Sequence, residues 1–217
     1  MELEDGTPVL LRPVTPKDRE RLVVGMAQLS ADSRYFRFFT PSPRLTEEQI
    51  RYFTEVDQEN HVAWMAVNAV LPGQPGLGIG RFVRREDQPA AAEFALTVID
   101  AAQQKGLGTA ILAALYVLAQ ERGVRAFQGI VLPENRVVTD WLARLGAGTW
   151  FASGVYEVEL PVYQDLSCLP RNSSAERFRS WVAQISVFRS MERSRTRCSP
   201  PAVTSVITTH AVTSRPA

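Results

Sequence analysis

VIDAAQQKGLGTAILAAL, residues 98–115, joins the end of a β-rich segment to an apolar helix through two glycines, Gly106 and Gly108. Glycines let a ligand approach the backbone closely. The helix that follows offers free N–H groups and the positive end of its dipole, both suited to an anion. Lys105 adds local positive charge. A nucleotide P-loop needs G-x-x-x-x-G-K-[ST], which is absent. A dinucleotide fingerprint needs a third Gly or Ala where this chain has Ile111, and an acid about twenty residues further on, which is not evident. What remains is Gln103-x-x-Gly106-x-Gly108 between a strand and a long helix.

Strand and helix patterns extend from this turn in both directions. Upstream, residues 61–70, 77–86 and 90–100 are β-rich runs joined by short loops containing Gly or Pro, so three successive antiparallel strands are expected. Residues 6–14 alternate as a first strand. A helix follows with Thr15 as cap, Pro16 in its first turn and Asp18 at the capping-box position. Residues 30–40 are short, aromatic and basic, and Thr46 with Gln49 opens another helix over 46–56. Downstream, Ile111, Leu112, Leu115, Leu118 and Ala119 give the 106–123 helix its period, and Gly123 stops it. A strand over 124–133, a helix over 135–147 and a hairpin over 149–162, turning at Ser153-Gly154, complete the pattern. The order β-α-α-α-β-β-β-α-β-α-β-β allows one parallel pair across the long helix in an otherwise antiparallel sheet. The expected class is α+β, with about seven strands flanked by helices.

Residues 1–162 form one expected domain, and 163–217 a basic Ser/Arg-rich extension. The first region holds 16 Lys/Arg and 20 Asp/Glu, the second 8 Arg and 3 acids. Within the extension, residues about 174–192 read as a helix, with a Ser173/Glu176 capping box and a stripe of Phe178, Trp181, Val182, Ile185 and Phe188. That helix either docks on the domain or, through its arginine-rich face, meets a partner or a membrane surface. From Ser190 on, the composition predicts disorder.

Composition excludes several classes. The chain is 45% hydrophobic and 22% charged, as globular proteins are. No apolar run reaches the ~20 residues of a membrane span, and the acidic N-terminus lacks the pattern of a secretory signal, so a cytoplasmic location is expected. Cys168, Cys198, His61 and His210 lie too far apart to match a zinc spacing, and no metal is expected. No nucleic-acid partner is expected either.

The glycine turn resembles the Q/R-x-x-G-x-G/A acyl-CoA signature of the GNAT N-acetyltransferases, and residues 6–162 follow that fold's element order. LLRPVTPKDRERL resembles the family's first strand and helix. PENRVVTDWLARLGA resembles its second cofactor region, where an Asn opens the helix and Leu145-Gly146-Ala147 closes it. SRYFRFFTPSPRLTEEQI is similar to bacterial protein-lysine acetyltransferases that act on acyl-CoA synthetases. The resemblance implies acetyl-CoA as acetyl-donor cosubstrate. Its pyrophosphate would lie on Gln103, Gln104, Lys105, Gly106, Leu107, Gly108 and Thr109, with its pantetheine arm on the backbone of Leu96, Thr97 and Val98 and on Asn135. Asn135 also reads as an ordinary helix cap.

Acetyl transfer to an amine needs the neutral amine, whereas a lysine amine has a pKa of ~10.4. A positioned base must take the proton. The resemblance gives that role to Glu93, whose apolar sequence neighbours predict a raised pKa; the alternative is a solvent-facing edge residue. The tyrosine that many relatives place seven residues after the Asn, as acid for the leaving thiolate, is Leu142 here, beside Trp141. Tyr116 and Tyr156 have no assignable place. The implied activity is acetyl transfer to a primary amine, with a protein lysine, such as one on an acyl-CoA synthetase, as the leading acceptor. A small-molecule amine (antibiotic, polyamine or amino acid) is the alternative, and a non-catalytic acyl-CoA-binding domain is a third reading.

Overall fold

The computed structural model describes residues 1–40 and 44–197. Its centre is one seven-stranded sheet in the order β1-β2-β3-β4-β5-β7-β6. The strands are β1 (Val9–Pro13), β2 (His61–Asn68), β3 (Gly76–Arg84), β4 (Ala91–Val98), β5 (Ala126–Val131), β6 (Gly148–Ala152) and β7 (Val155–Pro161). Every neighbouring pair is antiparallel except β4 and β5, which the intervening helix makes parallel. The expected α+β class and its single parallel pair are therefore observed.

Among the described residues, six α-helices flank the sheet: α1 (Arg19–Ala27), α2 (Ala31–Phe38), α3 (Glu47–Thr54), α4 (Leu107–Glu121), α5 (Arg136–Arg144) and α6 (Ser173–Arg197). The basic aromatic segment is thus helix α2, capped by the Ser30 hydroxyl, which accepts from the Ser33 N–H. The Thr15/Asp18 box forms ahead of α1 and the Thr46/Gln49 box opens α3. Asp18 also takes both guanidinium arms of Arg12, at 2.8 and 2.6 Å, and Arg21 at 3.1 Å. This buried carboxylate fastens the start of α1 to β1.

Helix α4 is the core. From Ala110 to Ala119 every residue is buried, so its apolar residues run all round rather than along one stripe. Gly78 and Gly80 of β3 allow the close approach on the sheet side: a Cβ at Gly80 would lie 2.5 Å from the Ile111 side chain. Helix α6 covers the other side, with Ala175, Phe178 and Val182 buried. The rings of Tyr116 and Phe178 meet edge to face at 5.1 Å. The C-terminal helix is thus part of the hydrophobic core.

Three expectations about this helix are corrected. Its cap is Asn172, whose side chain accepts from the Ala175 N–H, and not Ser173. Phe188 is exposed, because the apolar stripe runs past the end of α4. The helix also continues through Ser190 to Arg197, where disorder was expected. Ion pairs hold this last part: Glu121, at the C-terminus of α4, accepts from Arg189 and Arg193. Cys198, His210 and the rest of the expected disordered tail lie outside the described residues. No helix among the described residues is long and apolar enough to cross a membrane.

Candidate functional site

Strand β4 organises the site. Its parallel pairing with β5 covers only Ala91, Ala92 and Glu93, opposite Ala126, Phe127 and Gln128. Beyond Glu93 the two strands diverge, while β4 stays paired with β3 as far as Val98. The β3–β4 bonds fix which groups face the gap. Ile99 donates to Leu77 and Arg85 donates to Ala91, so the odd-numbered residues of β4 bond β3. The backbone of Leu96 and Val98 therefore faces the gap, and that of Thr97 does not. Of the three backbone positions expected to meet a pantetheine arm, two are open to it. Thr97 instead sends its side chain to the opposite face of the sheet, into a cleft.

The gap leads to the glycine turn. Gln104 and Gly106 have φ of 58° and 83°, a left-handed conformation that Gly106 adopts without steric cost. Among the described residues, the first helical hydrogen bond is donated by Ala110, to the Gly106 carbonyl, and no backbone N–H from Gln104 to Thr109 has a partner. Six consecutive N–H groups at a helix N-terminus form an anion cradle. Gly108 is less demanding: a Cβ there would sit 3.7 Å from Leu96, an ordinary contact. The observed geometry thus requires Gly at the first signature position and tolerates Ala at the second.

Two expected contacts are differently employed. The Gln103 side chain donates to the Val98 carbonyl at 3.1 Å, Ser33 Oγ at 3.1 Å and Asp100 Oδ1 at 2.9 Å, and its N–H bonds the Asp100 carbonyl. It braces the turn from behind. Lys105 Nζ lies 2.9 Å from Asp5, whose carboxyl this bond, together with bonds from Thr7, holds well below its usual range. Asp100 was missed by sequence reasoning. It accepts from the Ser30 N–H and the Ser33 hydroxyl, tying the start of α2 to the turn. Asn135 stands at the N-terminus of α5, and its side chain makes no capping bond there.

At the other end of β4, Glu93 is exposed, which overturns the expected apolar setting. Its row across the sheet runs through Gln128 to Glu159, and the next row on that face holds Ile130, Glu157 and Trp150. Gln128 donates to Glu159 at 3.0 Å and Trp150 Nε1 to Glu157 at 2.8 Å. Exposed Ile130 and Trp150 mark this half of the face as open. The tyrosine question has a partial answer. Tyr116 is fully buried, its hydroxyl accepts from the Tyr163 N–H at 2.6 Å, and burial pushes its pKa up to about 12. Leu142 is likewise a core residue. Tyr156 pairs in register with Val131 and Phe151 and packs its ring on Phe151.

The half of the same face that carries β3 and β4 lies under α1, α2 and α3. Between them is a cleft walled by Leu22, Met26, Leu29, Phe38 and Ile79, with Ala95 and Thr97 on its floor. Arg21, Arg37 and Arg81 also line it. Arg37 and Arg81 were not singled out by sequence, because they meet only in the folded chain. Among the described residues, no group of three or more His, Cys, Asp or Glu could hold a metal.

The sequence matches the profile of the acetyltransferase (GNAT) domain over residues 9–147. It is 34% identical over 147 residues to the acetyltransferase Pat of Mycolicibacterium smegmatis, covering 68% of this chain and 43% of that protein. It is 27% identical over 144 residues to the acetyltransferase PA5475 of Pseudomonas aeruginosa, covering 66% of this chain and 77% of that one. Its fold superposes on the GNAT domain of S. lividans PAT with a TM-score of 0.67 and 34% identity, covering 74% of this chain and 94% of that one. The chain thus spans less than half the length of the mycobacterial relative. The glycine turn, the diverging strands and this similarity agree: the chain belongs to the GNAT acetyltransferase family.

Proposed function

We propose that the chain transfers an acetyl group from acetyl-CoA to a primary amine, with a protein lysine as the leading acceptor. The observation that carries this reading is the run of six unpartnered N–H groups from Gln104 to Thr109, opening onto the gap between β4 and β5. The cradle fits a pyrophosphate, and the Leu96 and Val98 backbone fits the amides of a pantetheine arm laid along β4. The unused side chain of Asn135 supplies one more polar contact.

In this reading the thioester carbonyl lies near the Leu96 amide, which stabilises negative charge developing on its oxygen. The neutral amine attacks the carbonyl carbon, the C–S bond breaks, and CoA leaves as a thiolate. Glu93 takes the amine proton, directly or through one water. Its exposure makes it a base in contact with solvent, so the proton passes readily to bulk water. A free thiol has a pKa of about 8.5, so CoA departs as thiolate without an obligatory acid, in keeping with the buried, occupied positions of Leu142 and Tyr116. The open half of the sheet face beside Glu93 admits a lysine on the surface of a large acceptor, and Glu157 and Glu159 attract cations to it. A cytoplasmic location is part of the proposal.

Labelled acetyl-CoA incubated with the chain and a cell lysate tests the acceptor. Labelled protein bands are expected. Label confined to small amines, with release of free thiol, replaces the protein acceptor with a small one. Acetyl-CoA binding without thiol release on any amine removes the catalytic reading.

A further inference from the structure

Most arginines of this chain that touch another group touch a carboxylate or a ladder of carbonyls. Arg12, Arg19, Arg85, Arg122, Arg177, Arg189 and Arg193 are ion-paired, and Arg21 shares Asp18 while donating to the Gly73 and Gln74 carbonyls. Of the three that line the cleft, Arg21 is of this kind, and Arg37 and Arg81 differ. Arg81 is only 7% exposed, and its partners are neutral: His61 Nε2 at 3.2 Å and the Phe53 carbonyl at 3.4 Å. Its guanidinium lies 4.2 Å from the centre of the Phe53 ring. An imidazole supplies no negative charge, and burial and Arg81 pull the His61 pKa down to about 4, so it is a neutral partner. Arg37 makes no hydrogen bond and no ion pair among the described residues.

Two guanidiniums beside one cleft, without a carboxylate, raise each other's cost of carrying charge, and burial adds to it. Arg81 shows both influences: burial, then Arg37, pulls its pKa down to about 9. Residues 41–43 and 198–217 contain no Asp or Glu side chain. Apart from Arg21, Arg37, Arg81 and Thr97 the cleft is lined by apolar residues, so it has the composition of a ligand site with a few polar groups.

Register places this pair relative to the reacting centre. Arg81 is opposite Ala95, and Glu93 is the next residue of β4 on the same face. Two residues along a strand span about 7 Å. The sheet face is therefore bipolar, with Arg37 and Arg81 under the helices on one side of Ala95, and Glu93, Glu157 and Glu159 in the open on the other. We infer that the acceptor bears a carboxylate as well as an amine, and that Arg37 and Arg81 hold the carboxylate while the amine meets Glu93. The amine half of this inference rests on the acetyl-transfer reading; the anion site does not. The carboxylate belongs either to a free amino acid-like acceptor or to an Asp or Glu side chain close to the target lysine of a protein.

Calorimetric titration of the full chain separates these sources. One pair of ligands is Nα-acetyl-lysine against Nα-acetyl-lysinamide. The other is a lysine peptide with flanking Glu against the same peptide with Gln. A charge-assisted contact predicts that the acid binds about tenfold tighter than its amide in at least one pair. Preference in the first pair assigns a free acceptor, and in the second a protein acceptor. Arg37→Gln, which gives up a contact with the Phe38 ring but no ion pair among the described residues, brings the acid down to the level of the amide. Equal affinities, no binding of either acid, or a preference that survives Arg37→Gln overturns the inference. Preferential binding of an acid that is never acetylated in the presence of acetyl-CoA removes the transfer reading and leaves the anion site standing.

Discussion

The two ends of β4 are built in different ways. At the glycine turn, the groups proposed to face a ligand are backbone amides, fixed by a left-handed Gly106 and by the start of α4. At the Glu93 end they are side chains contributed by separate elements: Arg37 from α2, Arg81 from β3, and Glu157 and Glu159 from β7. A backbone cradle is specified by a few adjacent residues. A side-chain constellation is specified only by the tertiary fold.

The largest expected effect separates the two ends directly. Glu93→Gln removes the base and leaves the cradle intact. Turnover should fall by about 10²–10⁴, measured as thiol release at saturating acetyl-CoA, with an unchanged dissociation constant for acetyl-CoA. Unchanged turnover removes Glu93 from the mechanism.

The donor end depends on α4 being held in place. Phe178→Ala deletes a fully buried ring behind that helix. It should cost about 3–5 kcal/mol of stability, read by denaturant unfolding. A loss below about 1 kcal/mol contradicts the account of α6 as part of the core.

Gly106→Arg tests the cradle itself. A side chain there meets an unfavourable positive φ, and its Cβ lies 3.0 Å from Glu4 Oε1. A φ penalty of 1–3 kcal/mol, with loss of the amide array, predicts acetyl-CoA binding weakened about a hundredfold. Gly108→Ala should stay within about twofold, given its ordinary contact distance. Equal effects at the two glycines break the claim that only the first is demanded by geometry.

The smallest expected effect concerns the wall of the acceptor cleft. Burial raises the Asp18 carboxyl, but Arg12 and the Thr15 amide outweigh it and hold the pKa at about 2. A folded pKa below the unfolded one contributes stability above about pH 4 that is lost as pH falls toward 2, here about 2 kcal/mol. Acid unfolding of Asp18→Asn should lack this component. If the variant and the parent lose stability in parallel between pH 4 and pH 2, the role given to Asp18 fails.

The sequence carried the fold wherever one element announces itself. Both Thr capping boxes, the Ser153-Gly154 turn and the apolar run of α4 were readable, and so was the single parallel pair, from the helix between its strands. It misled where a neighbour decides. The exposure of Phe188 follows from where α4 ends, and the helical run from Ser190 to Arg197 is anchored by Glu121, which lies far away in sequence. Of the candidate site, the turn was legible because its chemistry is local. Gln103 carried the right spacing, yet its side chain serves Asp100 and Ser33, a contact across 70 residues for Ser33. Arg37 and Arg81 gave no signal at all, since nothing in a sequence marks an arginine that will lack a carboxylate.

The most direct test of the account is a paired measurement of acetyl-CoA binding and amine-dependent thiol release in the parent chain, Glu93→Gln and Gly106→Arg. The account predicts that the parent binds and turns over, Glu93→Gln binds equally well and turns over at least a hundredfold more slowly, and Gly106→Arg binds about a hundredfold more weakly. A parent chain that binds acetyl-CoA as weakly as Gly106→Arg, or a Glu93→Gln chain that turns over at the parental rate, contradicts it.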